Sequence, residues 1–101
     1  MTMGRLKGKV AIITGGASGI GEKIVQWFHE ESAIVIAADI NEQALKQISK
    51  EQVHGKKLDV TSEEDWKRLV DEVKSEFGKI DILVNNAGIS TEKTIEQIDY
   101  H

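Results

Sequence analysis

The sequence predicts an α/β fold, a three-layer arrangement with a parallel sheet between helices, and three observations carry that prediction. Short apolar runs alternate with longer amphipathic stretches, the pattern of strand-helix-strand units. A glycine-rich turn, Thr14-Gly15-Gly16-Ala17-Ser18-Gly19-Ile20-Gly21, follows directly on the first apolar run, Val10-Ala11-Ile12-Ile13. Polar residues of restricted type, Asp39, Asp59 and Asn85-Asn86, stand where the later runs end.

Taken in order, the expected elements are a strand over 10–14, a helix over 19–31, a strand over 34–38 and a helix over 41–50. A short strand over 56–58, a helix over 62–77 and a strand over 80–85 complete them. The first helix presents Ile20, Ile24, Trp27 and Phe28 as its core stripe. The last presents Trp66, Leu69, Val70, Val73 and Phe77 at 3.6-residue spacing. Both tryptophans read as packing residues. Thr61 and Glu64 have the spacing of a capping box, and Gly78 is placed to stop the helix. The expected sheet is partial, about four strands in the order 3-2-1-4. No repeat, linker or low-complexity stretch divides residues 1–101, which read as one domain.

The glycine turn carries the first chemistry. Each glycine there permits a tight turn with φ > 0, close approach of a ligand to bare backbone, or close packing of helix on strand. The helix that follows opens with unpaired N–H groups and the positive end of its dipole, so a phosphate at Ser18 to Gly21 needs no buried lysine. The spacing is Gly-x-x-x-Gly-x-Gly at Gly15, Gly19 and Gly21, distinct from the general Gly-x-Gly-x-x-Gly fingerprint. Gly16 and Gly21 also have the spacing of a Walker-type phosphate loop. The next two residues, however, are Glu22 and Lys23 rather than Lys and Ser/Thr, which argues against a nucleotide triphosphatase. A glycine turn with no ligand remains the plain alternative.

Asp39 ends the second strand, eighteen positions beyond Gly21. A carboxylate there suits the adenosine ribose hydroxyls of a dinucleotide. A 2′-phosphate about 4 Å from it would be repelled by roughly 4 kcal/mol per unit charge pair at an effective dielectric near 20, before screening. NAD is therefore favoured over NADP, and positions 16 and 40, Gly and Ile, offer no cation to rescue a 2′-phosphate. Alone, Asp39 would also suit a solvated turn before Asn41. Asp59 and Asn85-Asn86 are equally plain as turn formers. Their value lies in convergence, since the C-terminal ends of parallel strands form one crevice rim.

Through Thr14-Gly15-x-x-x-Gly19-Ile20-Gly21, Asp39, Asp59-Val60 and Asn85-Asn86-Ala87-Gly88, the chain resembles the short-chain dehydrogenase/reductase family from Lys7 to about Ile98. The resemblance implies a Rossmann-type sheet and NAD(H)-linked oxidation of alcohols or reduction of carbonyls. It implies Asp59 near the adenine amino group, Val60 on the ring, and Asn85 to Gly88 bracing the sheet beside the ribose. With the reading above, the cofactor residues are Thr14, Gly15, Ser18, Gly19, Ile20 and Gly21 on the turn, followed by Asp39 and Ile40, Asp59 and Val60, and Asn86, Ala87 and Gly88. Ser32 departs from the family, which usually has glycine after the first helix. A different helix stop is expected there, at about 1 kcal/mol.

The family's proton chemistry uses Tyr-x-x-x-Lys on a helix. This chain has one tyrosine, Tyr100, followed only by His101. The catalytic pair cannot form within these residues, and Ser90 and Thr91 have no base beside them. No catalytic residue is assigned, and these 101 residues alone are expected to be inactive, with the catalytic and substrate-binding portion outside them.

Composition fits that picture. The chain is 40% hydrophobic and 30% charged, with net charge −4 and no basic run, which argues against nucleic-acid or anionic membrane partners. The absence of cysteine removes disulfides, thiol nucleophiles and Cys-ligated metals, and fits a reducing cytoplasm. His29, His54 and His101 lack metal-ligand spacing and read as surface residues. No apolar run is long enough for a span or a signal peptide, so secretion is not expected. In the order 3-2-1-4 the last strand is an edge of interior composition, which invites self-association. A non-catalytic dinucleotide-binding module, or an assembly module formed by truncation, is the alternative.

Overall fold

The five residues Val10–Thr14 are all buried and form β1, an interior strand of the computed structural model, which describes residues 4–86. Helix α1 (Gly19–Glu30) leads to β2 (Ile34–Asp39), and α2 (Glu42–Ile48) leads to β3 (Val53–Lys57). Helix α3 (Glu63–Phe77) then returns the chain to β4 (Ile82–Asn85), beside β1 on its other flank. All pairings are parallel and the order is β3-β2-β1-β4, as expected. No further strand pairs with β3 or β4 among the described residues.

Strand alternation sorts the side chains into two cores. Ile13, Val35, Ala37 and Val84 point to the face where Val25 and Leu45 supply α1 and α2. Val10, Ile12, Ile36, Ala38 and Leu83 point to the other face, where Leu69 and Val73 supply α3. Right-handed crossovers explain the split. The connections to β2 and β3 step one way across the sheet. The step to β4 reverses direction and so lies on the opposite face. The reversal puts a switch point between β1 and β4, where their C-terminal ends open a crevice.

Local chemistry sets the helix ends. The side chain of Asn41 accepts a hydrogen bond from the Ala44 N–H and caps α2. Ser62 caps α3, accepting from the Asp65 N–H at 3.1 Å, so this cap lies one residue beyond the expected Thr61 and Glu64 pair. Thr61 instead donates to Asp59, through N–H at 3.0 Å and Oγ1 at 2.6 Å. Gly78 ends α3 at φ 86, as expected.

Ser32 overturns the expectation of a different helix stop. It adopts φ 71, the left-handed conformation that glycine favours. The Ser32 N–H donates to the His29 carbonyl at 3.0 Å and the Ala33 N–H to that of Phe28 at 3.1 Å, the two bonds of a Schellman stop. The backbone pattern is the glycine one, built on serine.

Other differences have simple causes. β3 starts at Val53, ahead of the expected 56–58, because Val53, Gly55, Lys56 and Lys57 pair in register with Val35, Ala37, Ala38 and Asp39 despite little apolar signal. Leu58 lies beyond the strand but is buried under α3. Ile20 and Trp27 are 70% and 56% exposed, so they leave the expected α1 stripe. Gly21 and Val25 make the buried contact instead, with Ile24 and Phe28 half-buried beside them. His29 and His54 are half-buried rather than on the surface. The His54 ring packs 5.0 Å from that of Phe77.

Asp81 fixes the start of β4. Its Oδ2 accepts from the Val10 N–H at 2.8 Å, and its own N–H donates to the Val10 carbonyl at 2.8 Å. The Val10 N–H first, and then Lys79, hold its carboxyl below the usual carboxylate range. Depressed carboxyls stabilise the fold fully above about pH 4, and that contribution is lost as pH falls through their folded pKa values. Asp81→Ala is therefore expected to lower the urea midpoint at pH 7, with the gap to the unmodified chain closing in more acidic buffer. Ser32→Gly is expected to raise stability by up to about 1 kcal/mol, read in the same urea titrations.

Candidate functional site

The site is built where four strands end. After β1 the backbone turns through Gly15 at φ 65 and Gly19 at φ 50. Gly21, one turn into the helix, faces back on this loop. A Cβ there would overlap the Gly15 carbonyl and come within 2.9 Å of Asn86 Nδ2. Gly16 is confined but less so, with Ile13 O at 3.0 Å and Ala37 Cβ at 3.1 Å from such an atom. Gly19 is different, since its added Cβ would meet nothing within 4 Å. Gly21 therefore serves close packing, whereas Gly19 faces open space.

The start of α1 also differs from its counterparts. Ser18, at its N-cap, makes no side-chain capping bond, whereas α2 and α3 are capped by Asn41 and Ser62. Ser18, Gly19 and Ile20 are all exposed. The first-turn N–H groups of α1 thus point outward beside the glycine loop without a side-chain acceptor from the cap residue.

Asp39, at the end of β2, ties the loop to the sheet. Its Oδ2 accepts from the Ala17 N–H at 3.1 Å and its Oδ1 from the Asn41 N–H at 3.0 Å. A carboxylate has about four acceptor positions, so about two remain for a ligand. Asp39, Gly15, Ile40, Leu58, Asp59 and Val60 together line a cavity of about 190 Å³. Its wall is apolar at Ile40, Leu58 and Val60, with a carboxylate from each of two strand ends. Hydrogen bonds from the Thr61 side chain first, and then its backbone, hold the Asp59 carboxyl below its usual range, so it is ionised at neutral pH. A larger groove of about 710 Å³, lined by residues of β3 and the helix ends around it, includes Ser49, His54 and Phe77 and shares no residue with this rim.

On the β4 side, Thr14 is fully buried and its hydroxyl donates to Asn85 Oδ1 at 2.9 Å. Asn86 Nδ2 donates to the Gly15 carbonyl at 3.4 Å. These residues join the β1 and β4 ends and brace the glycine loop from behind. The structure thus gathers Gly15, Asp39, Ile40, Asp59 and Val60 around one cavity, with Ser18, Gly19, Ile20 and Gly21 along the adjoining turn. Thr14 and Asn86 lie in the brace. Ala87, Gly88, Ser90, Thr91, Tyr100 and His101 lie outside the described residues. Among the described residues there is no group of three His, Cys, Asp or Glu side chains arranged for a metal, and no helix long and apolar enough to cross a membrane.

No motif in the sequence singles out Asp65 or Arg68, yet both reach this rim from α3. The Asp59 N–H donates to Asp65 Oδ2 at 2.7 Å, and Arg68 donates to the Lys57 carbonyl at 2.6 Å. Their helical spacing reads only as an i,i+3 charge pair.

Residues 9–101 match the family model described as short chain dehydrogenase. The chain is 49% identical over 90 residues to 3beta-hydroxysteroid dehydrogenase 2 of Eggerthella lenta, covering 83% of this chain and 35% of that protein. It is 44% identical over 98 residues to zerumbone synthase of Zingiber zerumbet, covering 91% and 36%. Among solved structures, a hydroxysteroid dehydrogenase from Escherichia coli superposes with a TM-score of 0.77 at 39% identity, over 83% of this chain and 38% of that one. The 3-ketoacyl-(acyl-carrier-protein) reductase from Brucella melitensis, complexed with NADH, gives 0.74 at 33% identity, over 77% and 33%. The chain therefore spans about a third of the length of these relatives.

The contrast between the two glycines is testable. Gly21→Ala is expected to destabilise the fold by about 1–3 kcal/mol, because loop or helix must move. Gly19→Ala is expected to cost about 1 kcal/mol, from its left-handed backbone alone. Urea titrations of both variants rank them directly.

Proposed function

The chain belongs to the short chain dehydrogenase family, and from that membership we propose that residues 1–101 form an NAD(H)-binding portion serving the interconversion of alcohols and carbonyls. The family is one of oxidoreductases that use nicotinamide dinucleotides. The observation that carries the reading is the convergence of the uncapped α1 start, the open space at Gly19 and the two carboxylates on one crevice rim.

In this reading the α1 N–H groups and the loop at Ser18 and Gly19 receive the pyrophosphate. Asp39 uses its remaining acceptor positions for the adenosine ribose hydroxyls, which favours NAD(H) over the 2′-phosphorylated form. Ile40 and Val60 flank the adenine, and Asp59 accepts from its amino group. Thr14, Asn86, Ala87 and Gly88 belong to the brace and the ribose side. The bound dinucleotide supplies the hydride donor or acceptor. No proton transfer is assigned within residues 1–101. A cytoplasmic location belongs to the same proposal, supported by the absence of cysteine.

Fluorescence titration with NADH and NADPH tests this. Tighter binding of NADH is expected, and Asp39→Asn is expected to narrow the difference by removing the repelling charge while keeping the side chain's size. Equal affinity in the unmodified chain, or an NADPH preference that survives the substitution, would overturn the ribose assignment. Steady-state assays with NAD and secondary alcohols are expected to give no turnover by this chain.

A further inference from the structure

We infer that Asp65, Trp66 and Arg68 on α3 are positioning residues for the adenosine end of the dinucleotide, an inference that rests on the NAD(H)-binding reading above. None of the three lines the cavity. They act on the backbone of the segment that does. Arg68 Nη2 donates to the Lys57 carbonyl at 2.6 Å, the Asp59 N–H donates to Asp65 Oδ2 at 2.7 Å, and Trp66 Nε1 donates to the Val60 carbonyl at 3.0 Å. Within four residues, three backbone polar groups are thus held by side chains from about one turn of one helix.

The holding groups are themselves fixed. Asp65 Oδ1 accepts from Arg68 Nε at 2.7 Å, and the Asp65 N–H is the donor in the Ser62 cap. Arg68 also reaches Glu72 at 3.1 Å. The Thr61 hydrogen bonds hold the Asp59 carboxyl below its usual range despite the opposing Asp65 charge, which Lys57 counters, while Arg68 lowers the Asp65 carboxyl itself. Asp59 Oδ1 is occupied by Thr61, while its Oδ2 accepts nothing among the described residues. The clamp therefore holds the backbone of Asp59 and Val60, both of which line the cavity, and leaves one Asp59 carboxylate oxygen without a partner among the described residues.

Binding of NADH, AMP and nicotinamide mononucleotide to the unmodified chain and to Asp65→Ala, Asp65→Asn and Trp66→Phe provides the test. Asp65→Ala is expected to weaken NADH and AMP alike by about tenfold, the scale of one charge-assisted hydrogen bond, and to leave nicotinamide mononucleotide unchanged. Asp65→Asn keeps an acceptor for the Asp59 N–H and is expected to recover most of the loss. Trp66→Phe keeps the ring and is expected to weaken AMP in the same direction. Amide exchange at Asp59 in the free protein is expected to quicken in Asp65→Ala and slow again in Asp65→Asn. If Asp65→Ala does not fold, Trp66→Phe decides the matter. Unchanged AMP affinity in folded Asp65→Ala or in folded Trp66→Phe overturns the inference and leaves the NAD(H) reading standing. Equal losses for AMP and nicotinamide mononucleotide overturn it as general loosening. If the unmodified chain binds neither NADH nor AMP, the NAD(H) reading fails and this inference with it.

Discussion

No side chain fits at position 21, because α1 approaches the end of β1 so closely that the Gly15 carbonyl occupies the space a Cβ would need. This contact fixes where the helix starts and which way its first turn faces. It also presses the loop onto Asn86, so the end of β4 is located by the same approach. The sheet order, the crevice between β1 and β4, and the direction of the α1 dipole all meet at this point. A looser packing there would leave the later strand ends without a common reference.

Around that fixed point the rim is assembled from backbone groups held by side chains. Asp39 holds Ala17 and Asn41, Asp65 holds Asp59, and Trp66 holds Val60. Carboxylates recur because an ionised oxygen accepts a stronger hydrogen bond than a neutral one and has lone pairs to spare. A negative rim results, suited to hydroxyl and amino donors.

The order of strands was legible because each strand end carries a polar signature and the apolar runs between them are short and distinct. The helix boundaries were less so. At Thr61 and Ser62 two adjacent hydroxyls satisfy the same pattern, and only the competing bond from Thr61 to Asp59 assigns the cap to Ser62. Periodicity placed Ile20 and Trp27 on an apolar stripe, but periodicity does not say how far a neighbouring element reaches. The contact of α1 is centred on Gly21 and Val25 and stops short of both. Ser32 misled for another reason, since a conformation that glycine favours can be imposed on serine when both bonds of the helix stop are made. Asp65 was illegible because its partner is a backbone N–H, which no residue type announces.

The attachments of β4 have a kinetic meaning. Val10 to Asp81, Thr14 to Asn85 and Gly15 to Asn86 each join residues 71 positions apart. The β1, β2 and β3 pairings join strands that follow one another along the chain. Closing the longer loop costs more chain entropy before any contact repays it, so local strand pairing precedes the docking of β4. The half of the crevice that holds Asp39 and Asp59 can thus be in place while the β4 flank is still open. Asn86 closes behind the glycine loop at the end, which makes completion of the glycine turn one of the last events in reaching the native state.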